Sequence, residues 1–210
     1  GSSIYMPDMK IPMLPSILAE DLCSLKEGVV RPAISLMIHI TPSAEVLEYE
    51  ILPSLIRVSR QMSYFEANLL AEQDQEIATL YHLAQEFQQC RMEQRAVQIN
   101  LPEVNIWINE DGSPVVTRTN RESPGRMLVS ELMILANWLM ARFLGVHEIP
   151  AIFRSQPAPK ERLYKGMEGS LFQNWMQRKM LSRFILSSKP EHHSGLGLDA
   201  YTTGTSPIRK

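Results

Sequence analysis

The stretch from Ser123 to Gly145 constrains this chain most. Ser123 is a residue type that caps helix N-termini. Pro124 follows at the first helical position, where its missing N–H costs nothing. Apolar side chains fill most positions from Met127 to Phe143, and Gly145 predicts the C-terminal stop. A helix that is apolar nearly all round must be buried, so the rest of the chain has to supply the layers that cover it. Ser130 and Asn137 are about two turns apart and share one face of this helix. Such a pair either bonds to neighbouring backbone or lines a ligand channel, and both readings stay open here. On this reading no apolar run approaches the roughly 20 residues of a membrane span, and no membrane partner is expected.

The flanking segments alternate between strand and helix patterns. Pro7, Pro12 and Pro15 predict an extended loop before residue 31, with a helical turn or two over Leu18 to Leu25. Ala33 to Ile40 and Val46 to Ile51 predict a hairpin across the turn Thr41-Pro42-Ser43-Ala44. Gln61 to Arg95 is polar, helix-forming and free of Gly and Pro, which predicts two helices or one broken helix. Val104 to Ile108 and Val115 to Arg118 predict a second hairpin about Glu110-Asp111-Gly112. Ile149 to Pro159 is Pro-rich and reads as a loop. Leu171 to Ile185 predicts a helix with Arg178, Lys179 and Arg183 on its polar side. The tail from Ser187 is rich in Gly, Ser, Thr and His and reads as a loop of anion-binding groups.

Charge is unevenly spread over the 210 residues. Residues 151–210 hold ten Lys/Arg against four Asp/Glu, while residues 1–150 hold eleven against nineteen. One side of the protein is thus suited to face an anion. Cys23 and Cys90 have no metal-ligand spacing and form no disulfide framework, and a reducing cytoplasm is the expected compartment. The chain has no P-loop, dinucleotide fingerprint or nucleophile elbow. His192 and His193 lack a nearby carboxylate pattern, and no close cluster of aspartates is present to hold a divalent metal. The residues alone therefore predict a mixed α/β domain with one basic end.

Three blocks carry more. The first is Ser3-Ile4-Tyr5-Met6-Pro7, then Ile11-Pro12-Met13-Leu14-Pro15 and Glu20-Asp21-Leu22-Cys23-Ser24-Leu25. The second is Leu128 to Asn137. The third is His193-Ser194-Gly195-Leu196-Gly197-Leu198-Asp199-Ala200-Tyr201, then Thr205-Ser206-Pro207-Ile208-Arg209-Lys210. In content and order they resemble the RNase II/RNase R (RNB-domain) exoribonucleases. The resemblance implies an α/β fold of mixed α+β type, a largely antiparallel sheet packed with helices. It makes residues 1–210 one partial catalytic domain, incomplete at both ends. The implied activity is 3′-to-5′ hydrolysis of single-stranded RNA to nucleoside 5′-monophosphates, with Mg²⁺ activating water.

By the same resemblance Arg209 holds phosphate at the reaction centre, a task that suits a planar two-pronged cation. Tyr5 packs on the terminal base, and Tyr64 lies near the RNA end. Asn137 supports the channel wall, and His193 and Ser206 belong to the RNA-binding set. Four departures qualify it. The family's metal-binding aspartates precede the match to Tyr5, and a catalytic glutamate follows the match to Arg209. The Mg²⁺ ligands are therefore expected outside this chain, which by itself should be inactive. Ser130 stands where the family has the first of two glutamates, leaving Glu131. Ile99 stands where some relatives have a phenylalanine at the mouth of the channel. The alternative is a non-catalytic RNA-binding or regulatory relative. A protein scaffold would explain the helices but not the Tyr5, His193 and Arg209 blocks.

Overall fold

The computed structural model describes residues 4–71, 73–119, 123–164 and 169–205, apart from the side chains of Tyr5, Lys10 and Thr119. Its elements run β1 (Ile4–Tyr5), β2 (Lys10–Ile11), a π-helix (Ile17–Leu22), β3 (Val30–Ile40), β4 (Val46–Arg57), α1 (Tyr64–Leu70) and α2 (Gln75–Glu93). β5 (Glu103–Ile108), β6 (Pro114–Thr119), α3 (Pro124–Val146), β7 (Phe153–Ser155), α4 (Leu171–Met180) and β8 (Ile185–Ser187) follow. The strands form four two-stranded antiparallel sheets in the orders β1-β2, β3-β4, β5-β6 and β7-β8. The mixed α+β fold expected from the sequence is what the chain adopts.

α3 anchors both cores, but it is not buried all round as expected: Val129, Met133 and Val146 are exposed. One core gathers Ala44, Phe87, Leu135, Leu139 and Leu198, with Leu36, Ile38 and Tyr49 of the first hairpin and Trp138 packed against it. A second joins Ala141, Phe153 and Ala200. The helix is 23 residues long with a window of mean hydropathy 1.5, enough by length and composition to cross a membrane. That corrects the expectation that no segment approaches such a span. Here the helix carries a buried glutamate, Glu131, and packs on α1 and α2.

Local capping chemistry explains where the helices begin. Ser63 and Glu66 form a reciprocal capping box at α1, and the Asp74 carboxylate accepts from Glu76 and Ile77 at α2. Two caps eleven positions apart make the polar 61–95 stretch two helices rather than one. Ser123 makes no side-chain cap; instead the Gly125 N–H donates to Asn68 Oδ1 of α1 at 2.8 Å. Gly145 is not the stop of α3. It lies inside the helix, at a close approach to Pro190: a Cβ there would come within 3.1 Å of Pro190 Cγ. The residue that turns left-handed is Glu148, at φ 53°.

The first hairpin is longer than expected, running through Pro32 and Pro53. In a two-stranded ribbon each strand has a free edge, so a proline that donates nothing to the ladder is tolerated there. The helix expected over Leu171 to Ile185 ends at Met180. Ile185 to Ser187 pairs with Phe153 to Ser155, inside the segment read as a loop. Pro7 lies in the turn of a short hairpin, Ile4↔Ile11 and Tyr5↔Lys10, in the segment expected to be extended.

Candidate RNA-facing site

A cleft of about 790 Å³ opens between α2, α3 and the 96–100 segment. Its lining includes the amides of Gln85, Gln88, Gln98 and Asn100, together with Ile99 and Ser130. At its base lies a buried ion pair. Arg91 Nε donates to Glu131 Oε2 at 3.0 Å and Arg91 Nη2 to the same oxygen at 2.7 Å. Arg91 Nη1 donates to the Leu196 carbonyl at 3.0 Å, so one guanidinium ties α2 to α3 and to the tail. Gln88 Nε2 donates to Gln98 Oε1 at 3.0 Å and to Glu131 Oε1 at 3.4 Å. Because Glu131 neutralises Arg91, the cleft floor offers hydrogen bonds rather than free positive charge.

The tail folds into a tight turn behind that pair. The His193 N–H donates to the Leu198 carbonyl at 2.8 Å, and the Gly197 N–H to the His193 carbonyl at 3.0 Å. Gly197 has φ 67°, and a Cβ on it would stand 2.6 Å from the Arg91 carbonyl. Only glycine permits both that conformation and that approach. The turn is joined to the cleft by the Val97 N–H, which donates to the Gly195 carbonyl at 3.0 Å. His193 is buried, edge-on to Tyr201 with ring centroids 5.6 Å apart. Burial first, and then the Arg154 guanidinium, push its pKa down to about 4. Its imidazole is therefore neutral at neutral pH, and its Nδ1 has no hydrogen-bond partner among the described residues.

Asn137 is the joint between helix and tail. Buried in α3, it donates from Nδ2 to Tyr201 Oη at 3.1 Å and accepts at Oδ1 from the Thr205 N–H at 2.8 Å. Of the two readings left open by the sequence, backbone bonding applies to Asn137. Ser130 is exposed and lines the cleft. Thr202 Oγ1 donates to the Ile152 carbonyl and the Arg154 N–H to the Tyr201 carbonyl, both at 2.8 Å, so the run up to Thr205 is held on both sides.

Of the residues singled out by sequence, Asn137 and His193 meet through Tyr201. Tyr64 does not join them. It starts α1, with the Arg126 guanidinium 4.5 Å above its ring, near the opposite end of α3. The Tyr5 backbone pairs with Lys10, but its side chain, like Ser206 and Arg209, lies outside the described residues. Among the described residues no group of three or more His, Cys, Asp or Glu could hold a metal ion. Sequence reasoning missed Arg91 altogether. Its signal, a charged residue one turn after the apolar Phe87, is faint without the fold.

Comparison with known proteins adds an independent line. The family model described as RNB domain matches residues 1–210. An uncharacterised ribonuclease of Synechocystis sp. is 32% identical over 218 residues, covering all of this chain and 32% of that protein. Ribonuclease R of Chlamydia pneumoniae is 30% identical over 250 residues, covering all of this chain and 36% of that protein. The structure of Mycoplasma genitalium RNase R in complex with ribose-methylated single-stranded RNA superposes with a TM-score of 0.81 at 22% identity. That match covers all of this chain and 39% of the other. The chain thus spans about a third of the length of the curated relatives it matches.

Proposed function

From the premise that this chain belongs to the RNB-domain family, we propose that the whole protein is a hydrolytic exoribonuclease. It would degrade single-stranded RNA from the 3′ end to nucleoside 5′-monophosphates, with residues 1–210 forming part of its RNA channel. The observation that carries this reading is the family match along the whole chain. The cleft supports it. Amides, a hydroxyl and a neutralised ion pair suit base edges and ribose hydroxyls, which recognition of unpaired RNA uses. Arg209 is then the phosphate-holding group. Asn137 fixes the backbone at Thr205, four residues before it.

In this reading Mg²⁺ supplies activated water when bound. The described residues do not fit a Mg²⁺ site, and its ligands are proposed to lie outside them. What the described residues contribute is shape, orientation and exclusion of water. The protein is proposed to act in the cytoplasm, with no membrane partner.

The test is a time course of the full-length protein with 5′-labelled single-stranded RNA and Mg²⁺. Progressive shortening from the 3′ end, with 5′-mononucleotides released and EDTA stopping it, is the expected result. RNA that is bound but never shortened would make the protein a non-catalytic relative instead.

A further inference from the structure

Helix α4 is amphipathic in the reverse sense. Its buried side chains are amides. Asn174 accepts from the Asn100 N–H at 2.6 Å and donates to the Gly169 carbonyl at 2.8 Å. Gln177 accepts from the Leu163 N–H at 2.8 Å and donates to the Glu161 carbonyl at 2.9 Å. The aromatic residues face outwards: Phe172 is 68% exposed and Trp175 is 45% exposed. Their ring centroids lie 6.2 Å apart at 33°. Burial of apolar surface does not account for this arrangement, since it would place the rings inside and the amides out.

The charged residues of this segment have one sign. Residues 169–190 contain Arg178, Lys179, Arg183 and Lys189 and no Asp or Glu. Arg178 and Lys179 are exposed and flank Trp175 on the helix surface, being about one turn further along. Lys179 Nζ stands 3.6 Å from the Trp175 ring centroid, over one face of the indole, so the opposite face is the one left for a planar group. The face is also continuous with the site already described. Arg178 lines a smaller cavity of about 330 Å³ with Ile99, Leu101 and Pro102, and Ile99 is also part of the main cleft wall. Exposed rings flanked by cations, beside a cleft, form a surface for a polyanion that carries planar groups.

We propose that the outward face of α4, built on Phe172, Trp175, Arg178 and Lys179, is a second binding site for single-stranded RNA outside the cleft. Bases stack on Phe172 and on the Trp175 face that Lys179 does not cover, and the cations meet the phosphates between them. Recognition is indifferent to sequence, because every base has a flat face. The site holds the part of the strand that has not yet reached the cleft. The inference rests on the protein's being an RNA-binding member of its family, as argued above.

The experiment uses the full-length protein in EDTA, so that RNA is bound but not cut. Affinities are measured by fluorescence anisotropy for oligouridylates of about 4 and about 16 nucleotides. Phe172→Ala/Trp175→Ala should weaken binding of the longer strand at least about tenfold and leave the shorter one unchanged. Phe172→Trp/Trp175→Phe, which keeps two stacking faces, should restore it. Arg178→Gln/Lys179→Gln should lower the slope of log affinity against log salt by about 1.4 for the longer strand, the value for two phosphate contacts on a single strand.

Unchanged binding of the longer strand in both double variants, with the shorter strand still bound, overturns this site and leaves the RNA reading standing. In that case a fall in melting temperature identifies a face covered by protein. Loss of sedimentation with phosphatidylserine vesicles identifies one that meets anionic lipid. Wild-type protein that binds neither oligonucleotide overturns both readings.

Discussion

The buried Arg91–Glu131 pair makes a quantitative prediction. Replacing Glu131 with Leu leaves the Arg91 guanidinium buried without its carboxylate, which held it through Nε at 3.0 Å and Nη2 at 2.7 Å. Breaking a buried pair from one side costs about 3–5 kcal/mol, because the surviving charge is desolvated and unpaired. Arg91→Met should cost a similar amount, leaving the Glu131 carboxylate, among the described residues, with the 3.4 Å contact from Gln88 and orphaning the Leu196 carbonyl that Arg91 satisfied. The double variant Arg91→Met/Glu131→Leu removes both charges and fills the space with apolar atoms. Its remaining defect is the orphaned carbonyl, about 1–3 kcal/mol. The double should therefore be more stable than either single, with a coupling of several kcal/mol between the two sites. Urea unfolding of all four proteins measures this from the midpoints at constant slope. A double-variant loss equal to the sum of the single losses would show that the pair is not the joint described here.

Two further predictions concern the tail. His193 has its pKa lowered to about 4 in the folded state against 6.5 in the unfolded chain. Between those values the unfolded state binds the extra proton, so the stability is complete above pH 6.5 and declines as pH falls towards 4. By pH 5 wild type should lose about 2 kcal/mol that His193→Gln does not lose, as read from denaturant melts at pH 7.5 and pH 5; parallel losses in the two proteins would refute it. Asn137→Ala removes both the Tyr201 and the Thr205 bonds. In the full-length protein, on the proposed function, it should lower single-turnover rate more than tenfold while RNA affinity changes by less than about threefold, since its effect is on position and not on contact. Equal losses in rate and affinity would assign Asn137 a merely structural part.

The elements that the sequence made legible are those set by local chemistry. Ser123, Pro124 and the apolar run located α3, and Asp111-Gly112 located the turn of the second hairpin. Errors arose where distant partners decide. The strands expected over Ala33 to Ile40 and Val46 to Ile51 extend past Pro32 and Pro53, because a ribbon with free edges runs through both. Gly145 looked like a stop until Pro190, 45 positions on, was seen to occupy the space above it. β7 and β8 are three residues each and are set by long-range pairing, with each other and, for β7, with the tail at Tyr201 and Thr202. The same holds for the site. Asn137 could be picked out as a polar residue on an apolar helix, but its partners at Tyr201 and Thr205 could not. Arg91 and Glu131 lie 40 positions apart and declare themselves only in three dimensions.

Arg209→Lys in the full-length protein tests most directly whether this chain supplies the phosphate-holding group of a nuclease. Lysine keeps the charge but loses the two-pronged contact where negative charge develops. Single-turnover rate, RNA affinity and melting temperature are measured on the one variant. The account predicts a sharp loss of rate, affinity within about tenfold of wild type, or roughly 1.4 kcal/mol, and an unchanged melting temperature. Near-normal turnover in the lysine variant would contradict it.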